Sequence, residues 1–389
     1  MGRDGADAVI TDRGAARLRS GHPWVYRSDL SEAAGEPGDV VRVADRRGKF
    51  LGCAFYNPRS EISLRLATRD DEPIDEPWFI SKIERALDYR EALNIDADAY
   101  RLLHGEADGV PGLVVDRYGD YLALQVGSAA VERRLKWVMD AFRDRLTPAG
   151  ILARNDSTAR KREGLDTESR VLSGEVPESV IVREVDIRYR AYLRGGQKTG
   201  GFLDQRENHL AAGRYASGRV LDVFSYAGGF ALHAARRSGT VEAVDASGPA
   251  LDAARANAEL NGLDNITLTR ANAFDLLRER SDAGERYETV ILDPPAFAKT
   301  KRDVRKAQRA YKEINLRAMK LLNPGGILVT CSCSYHFSRE LMEETLRSAA
   351  ADAGRTMRVR EWRGQAAAHP EILAVPETRY LKCAVLECV

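Results

Sequence analysis

Two short segments carry side chains able to act on a substrate. Thr330-Cys-Ser-Cys-Ser334 offers two thiols, and Asp293-Pro-Pro-Ala-Phe297 offers a carboxylate and an aromatic ring on a backbone stiffened by paired prolines. A carboxylate beside an aromatic face suits a flat heterocyclic base; a structural proline turn is the competing view. In a strand, side chains two apart share a face, so Cys331 and Cys333 point the same way if the strand runs that far. A buried cysteine is usually an inert small hydrophobe, the default for Cys53, Cys383 and Cys388. At a strand end opening into a cleft, a thiolate stabilised by cations or a helix N-terminus is instead a nucleophile.

A second group of residues reads as a cofactor cradle. Arg219-Val-Leu-Asp-Val-Phe-Ser-Tyr-Ala-Gly-Gly-Phe230 is a short apolar strand, a glycine turn and the start of an alanine-rich helix. Asp222, Phe224, Ser225, Tyr226 and Ala227 lead into Gly228. Gly228 and Gly229 remove side chains where a backbone must come close to a ligand. A further strand, Val241-Glu-Ala-Val-Asp245, ends in an acid about twenty residues past the turn, where ribose hydroxyls would donate to it. Asn272-Ala273-Phe274 follows the next strand and suits either a purine edge or a helix cap.

The elements that must position these groups alternate. After Gly195-Gly-Gln-Lys-Thr-Gly-Gly201, strands fall near 220–225, 241–245, 266–269, 288–292, 326–331 and 380–387, with amphipathic helices strongest at 248–261, 303–322 and 338–353. Such alternation predicts a parallel sheet covered on both faces, with the ligand outside the carboxyl ends of its strands. Ahead of this α/β region, strand and turn signals up to about residue 67 predict a small barrel or sandwich, whose Trp24, Tyr26 and Tyr56 are read as core ahead of base stacking. The acidic, proline-bearing stretch 69–77 reads as a linker. From 78 to 190 an α+β pattern follows: a helix over 79–93, a hairpin over 112–126 turning at Tyr118-Gly-Asp, a helix over 131–146, and strands near 150–153 and 179–185. Arg154, Arg160, Lys161 and Arg162 lie in a loop that either grips phosphates or is simply solvated.

Composition narrows the partners. Fifty-nine basic and 58 acidic residues give a net charge of +1, so nucleic-acid affinity must come from local basic patches. Five cysteines without CxxC spacing argue against a disulfide framework and a zinc site, so no metal is expected. With no signal segment and no apolar run long enough for a bilayer, a cytoplasmic protein without membrane attachment is expected.

These motifs together resemble a known family. Gln197-Lys-Thr-Gly-Gly-Phe-Leu-Asp-Gln-Arg-Glu-Asn208, FSYAGGF, LDPPAF, Tyr311-Lys-Glu-Ile-Asn315 and Ser332-Cys-Ser334 are similar to those of PUA-domain-containing ribosomal RNA large-subunit cytosine-5 methyltransferases. HPWVY near the start and the 104–120 and 154–164 segments extend the resemblance over nearly the whole chain. It implies an RNA-binding PUA β-barrel over 1–70, a central α+β domain over 75–190 that helps bind RNA, and a class I (Rossmann-like) methyltransferase domain over 191–389. It implies S-adenosylmethionine (SAM) as cofactor, and 23S rRNA or a large-subunit assembly intermediate as partner. Homodimerisation stays open. By position, Cys333 corresponds to the family's nucleophile and Asp293 to an active-site acid. Phe202, Asp204, Gln205 and Arg206 fall on the segment that closes over the cofactor. Phe224 to Gly228, Asp245 and Asn272 with Ala273 fall on SAM-binding and active-site positions, as does Asp293. Cys331 stands where no thiol is required and could share or replace the role of Cys333, and Asn272 stands where an acid is common, its amide oxygen still able to accept from the adenine amino group.

The implied chemistry forms 5-methylcytosine through a covalent cysteine–cytosine intermediate. The basic run Lys299-Thr-Lys-Arg-Asp-Val-Arg-Lys-Ala-Gln-Arg309 would steer phosphates toward the site. The alternative is a SAM-dependent guanine or adenine nitrogen methyltransferase acting on RNA through Asp293-Pro-Pro-Ala-Phe297 without a cysteine. A nicotinamide dehydrogenase is disfavoured because the full GxGxxG spacing is absent, and a non-catalytic RNA-binding protein would bind RNA but not SAM.

Overall fold

The computed structural model describes residues 7–389, so residues 1–6 of the barrel expected over 1–70 lie outside the described residues. The chain forms two compact units. One comprises residues 7–182, 191–203 and 367–378; the other comprises 183–190, 204–366 and 379–389.

The first unit holds two sheets. Six strands are ordered Trp24–Tyr26, Ile62–Thr68, Phe50–Tyr56, Val40–Asp45, Ala8–Ile10 and Leu30–Ala33. Five more run Glu168–Gly174, Gly150–Asn155, Tyr121–Val126, Leu113–Tyr118 and Ala99–His104. Phe79, Ile83 and Phe142, from helices Glu76–Ala92 and Leu135–Leu146, share one buried core with Leu113, Val115, Leu122 and Leu124 of the second sheet. Cys53 and Phe55 of the first sheet belong to the same core. The helix expected over 131–146 is broken at Arg134, leaving Ala129–Arg133 ahead of Leu135–Leu146.

The basic loop of this unit corrects part of its phosphate-gripping expectation. Arg154 is buried, with Nη1 donating to the Leu193 carbonyl at 2.6 Å and Nη2 to Gly196 O at 2.8 Å. Arg160 is buried as well, bonded to the carbonyls of Val126 and Asp166 and to the Glu132 carboxylate. A guanidinium in that state ties the loop to the backbone of neighbouring segments. Only Lys161 and Arg162 of the four cations are exposed.

The second unit is a doubly covered α/β sheet. Its strands in chain order are β1 (Arg219–Val223), β2 (Thr240–Asp245), β3 (Ile266–Arg270), β4 (Tyr287–Leu292), β5 (Leu322–Ser332), β6 (Met357–Arg363) and β7 (Lys382–Cys388), in the spatial order β3-β2-β1-β4-β5-β7-β6. The first five are parallel; β7 runs antiparallel to β5 and β6. Alternation sends Leu221, Val223, Val290 and Leu292 into one core and Val220, Ile291, Val329 and Cys331 into another, which is why these strands read as unbroken apolar runs. Edge strand β6, Met-Arg-Val-Arg-Glu-Trp-Arg, is largely solvent-facing and gave no strand signal.

The helices are α1 (Arg206–Tyr215), α2 (Gly229–Ala235), α3 (Gly248–Leu260), α4 (Ala273–Asp282), α5 (Val304–Leu321) and α6 (Arg339–Ala353). Polar caps start three of them: Ser247 Oγ accepts from Ala250 N, Asn272 Oδ1 from Phe274 N and Asp275 N, and Ser338 Oγ from Leu341 N. Helix α5 buries Ala307, Tyr311, Ile314, Asn315, Ala318 and Met319 on one face, the three-to-four spacing that an amphipathic helix requires.

Candidate active site

The strand order reverses between β1 and β4, so the crevice for a ligand lies above their carboxyl ends. The chain leaves β1 through a tightly wound turn: Phe224 at φ +67°, Tyr226 at φ +50° and Gly228 at φ +87°. Left-handed backbone at a phenylalanine and a tyrosine is uncommon, and each such residue costs on the order of 1–3 kcal/mol, so the surroundings must hold the turn in place. They do so from β2: Ser225 N donates to Val244 O at 3.0 Å and Tyr226 N to Asp245 Oδ2 at 2.9 Å. The other oxygen of Asp245 accepts from Ser247 N at 2.8 Å.

The second glycine of this turn has a different role from the one expected. A Cβ on Gly229 would sit 2.7 Å from the imidazole of His209, so the position is bare to admit a neighbouring helix and not a ligand. His209 also meets Phe230 edge-on at 4.6 Å between centroids. Gly229→Ala is therefore expected to lower stability by about 1–3 kcal/mol through overpacking, read as an earlier midpoint in urea unfolding. An unchanged midpoint would show that α1 can give way.

His209 Nδ1 and His233 Nε2 both lie 3.0 Å from Glu184 Oε1. Against burial, which raises it, the two imidazoles bring the Glu184 carboxyl down to about 2; against burial, which lowers it, Glu184 raises His209. These are the His/Cys/Asp/Glu side chains that come together with metal-ligand atoms among the described residues. The cysteine spacing used to judge metal binding from the sequence says nothing about them. Their contacts are those of a buried, hydrogen-bonded ion pair.

Asp222 is fully buried within β1, and among the described residues neither carboxylate oxygen completes a hydrogen bond; the Ser225 hydroxyl is likewise unpaired. Burial pushes Asp222 up to about 7, helped by the charge of Asp293, while the nearby Ser225 hydroxyl, His209 and the Ala231 amide pull against it. With Asp245 and Asp293 at the ends of the adjoining strands, the crevice gathers three carboxylates. That environment favours a cationic ligand over a pyrophosphate.

Asp293 follows β4 directly, and its Oδ1 accepts from Gln205 Nε2 at 2.9 Å. Asn208 Nδ2 in turn donates to Gln205 Oε1 at 2.6 Å. Gln205 thus stands over the carboxylate, while Arg206, at the start of α1, pairs with Glu207 at 2.8 Å. Phe202 lies in the other unit, its ring 37% exposed with the Lys198 ammonium 4.7 Å above it. Phe297 is half-buried against Phe224, Phe274 and Tyr311, with centroids 4.8–6.4 Å away, so it ties the Asp293 loop to its neighbours instead of standing out as a lone platform for a base. Asn272 uses its amide oxygen as the cap of α4, with Ala273 as the first helical residue, so only its Nδ2 donor remains for a purine.

The strand does not run far enough to carry both thiols. Strand β5 ends at Ser332, so the expected alternation stops between them. Cys331 is buried opposite Cys383 in the β5–β7 ladder, and burial raises its pKa well above the usual thiol value. Cys333 lies one residue past the strand and is the one cysteine of the five that is not buried. Its neighbours are clamped. The hydroxyl of Tyr311 lies 2.9 Å from both Ser332 Oγ and Ser334 Oγ, and Ala298 N donates to Ser334 Oγ at 3.1 Å. Tyr311 therefore ties the Cys333 segment to α5, and Ser334 ties it to the loop that carries Asp293.

Two residues escaped the sequence reading. Tyr311 stood within a motif without a role, and Lys382 stood in no motif. Lys382 is 5% exposed, and its ammonium donates to the carbonyls of Ser334 at 2.7 Å and Tyr380 at 2.9 Å. Beyond the Asp293 loop, Lys299, Lys301, Arg302, Arg305, Lys306 and Arg309 are all exposed, and no carboxylate forms an ion pair with them among the described residues.

Comparison with known proteins gives a consistent result. A family model described as a PUA-like domain matches residues 9–69, and one described as an S-adenosylmethionine-dependent methyltransferase matches residues 142–360. A ribosomal RNA large subunit methyltransferase I from Vibrio cholerae is 41% identical over 384 residues, covering 95% of this chain and 96% of its own. Its counterpart from Erwinia tasmaniensis is 40% identical over 371 residues, covering 93% and 94%. Among solved structures, a methyltransferase complexed with SAH aligns with a TM-score of 0.84 at 21% identity over 97% of this chain and 99% of that one. A SAM-dependent methyltransferase from Streptococcus mutans aligns at 0.83, again at 21% identity over 97% and 99%. At that identity the structural likeness carries the fold. No helix among the described residues is long and apolar enough to cross a membrane.

Proposed function

The chain belongs to the S-adenosylmethionine-dependent methyltransferase family and carries a PUA-like domain, and from that membership we propose that it forms 5-methylcytosine in 23S ribosomal RNA with Cys333 as nucleophile. The observation that carries this reading is Cys333, the one cysteine that is not buried, on a segment hydrogen-bonded to the loop of Asp293. A nitrogen methyltransferase needs no such thiol. The relatives from Vibrio and Erwinia are named for large-subunit ribosomal RNA, which supplies the substrate class.

The residues at the crevice fit SAM. The unpaired carboxylate of Asp222 and the neighbouring acids suit a cofactor bearing a sulfonium and an ammonium, and Asp245 would accept from ribose hydroxyls. Asn272 would donate from Nδ2 to a ring nitrogen of adenine, a different bond from the oxygen contact an acid would make to the amino group. Phe224, Ser225, Tyr226, Ala227, Gly228 and Ala273 would line the same path, with Gln205 and Arg206 on the closing segment.

SAM supplies an electrophilic methyl group. Cytosine C5 is a poor nucleophile, so the Cys333 sulfur first adds to C6 and raises the electron density at C5. Asp293 holds the cytosine edge and, in its protonated form, donates to N3 as negative charge builds there. Loss of the C5 proton to a base then expels the Cys333 thiolate and restores the ring. The target nucleotide must leave its stack to reach the pocket, and the exposed cations from Lys299 to Arg309 would hold its phosphates. The three-part division, with an RNA-binding barrel over 1–70, a central domain over 75–190 and catalysis over 191–389, is part of the same proposal.

The test is a 23S rRNA transcript containing 5-fluorocytosine, incubated with SAM and the purified enzyme. A fluorine at C5 cannot be lost as a proton, so a covalent complex mapping to Cys333 by mass spectrometry is expected. Methylation of an exocyclic amine without a trapped complex would overturn the reading.

A further inference from the structure

We propose that Lys382 is a positioning residue that holds Cys333 as a thiolate ready to attack. The inference rests on the reading of Cys333 as nucleophile and adds the group that activates it.

Lys382 begins β7, and its partner across the antiparallel ladder is Ser332, the last residue of β5. Its ammonium bonds to the carbonyl of Ser334. The lysine therefore pairs with the residue before Cys333 and grips the residue after it, which places its charge beside the segment that carries the thiol. Both hydrogen-bond partners are neutral carbonyls, and among the described residues no carboxylate pairs with it.

A buried ammonium without a counter-charge is unfavourable, and two carbonyls compensate only part of what water would give. Burial accordingly pulls Lys382 down to about 8, and the Cys333 sulfur is the group that pulls it back. The missing counter-charge is the thiolate itself. Deprotonating Cys333 supplies an anion beside the buried ammonium, so ammonium and thiolate stabilise one another as a coupled pair. Cys331 shows the opposite state. Its cross-strand partner is Cys383 and not a cation, and burial drives its pKa up.

The experiment follows alkylation of Cys333 by iodoacetamide as a function of pH, read on the Cys333 peptide by mass spectrometry, which excludes signal from the four buried thiols. In the wild-type protein the midpoint is expected below that of an ordinary thiol, about 8.5. Lys382→Gln keeps donors for the two carbonyls but removes the charge. It should raise the midpoint by at least about one unit and slow alkylation at pH 7 about tenfold. Lys382→Arg should keep the low midpoint. A purely structural role for Lys382 would leave the Gln profile unshifted in a folded protein, and that result overturns the inference. If the Gln variant does not fold, a wild-type midpoint at or above the ordinary value overturns it equally. A covalent 5-fluorocytosine complex with an unshifted alkylation profile defeats this inference alone, whereas a shifted profile without that complex defeats the nucleophile reading, so the two failures are distinguishable.

Discussion

Cys333→Ser is expected to lower methyl transfer to rRNA by more than about 1,000-fold, because a serine hydroxyl at neutral pH does not add to the pyrimidine ring and no other side chain takes its place. Cys331 cannot substitute. It lies within β5 against Cys383, and burial holds its thiol protonated. The substitution removes one polarisable atom from a partly exposed position, so the fold and the SAM site should be intact. Isothermal titration should give a SAM Kd within a few-fold of wild type. The measurement is a single-turnover assay with tritiated SAM and 23S rRNA, followed by nucleoside analysis. Retained activity in Cys333→Ser would return the site to the nitrogen-methylating alternative, which shares the Asp293 loop but requires no thiol.

Asp293→Asn is expected to reduce kcat about 100- to 1,000-fold while leaving the protein folded. The asparagine oxygen can still accept from Gln205 Nε2, as Asp293 Oδ1 does at 2.9 Å, so the contact with the closing segment survives. What is lost is an acid able to give a proton toward N3 as charge develops there, a contribution typical of general acid or electrostatic groups. The effect should appear in kcat more than in KM for RNA, with SAM bound more weakly for the loss of one of the three carboxylates. A loss confined to KM would instead make Asp293 a substrate-binding residue.

Much of the fold was legible because it depends on local rules. Apolar runs such as Thr289-Val-Ile-Leu292 signal a strand buried on both faces, and the three-to-four periodicity of 304–321 signals a helix with one face on a sheet. Elements whose own sequence does not carry their environment were missed. Strand β6 is an exposed edge held by its ladder to β7, and Ala99–His104 and Glu168–Gly174 likewise form by pairing with stronger neighbours. Arg154 and Arg160 look like surface cations in any local window; only the folded chain shows that nearby carbonyls take their donors.

By itself, the sequence determined the α/β architecture, the acids and glycines at the carboxyl ends of its strands, and the family whose cofactor they serve, since strand and helix periods and turn chemistry are written in residues a few positions apart. The tertiary structure decided which of two neighbouring cysteines is buried, that Gly229 is bare for His209, and that Lys382, from the far end of the chain, bonds to the residue after Cys333. Burial and electrostatic environment come from strands paired across long sequence separations, and it is those pairings that set the ionisation of a cysteine or a lysine.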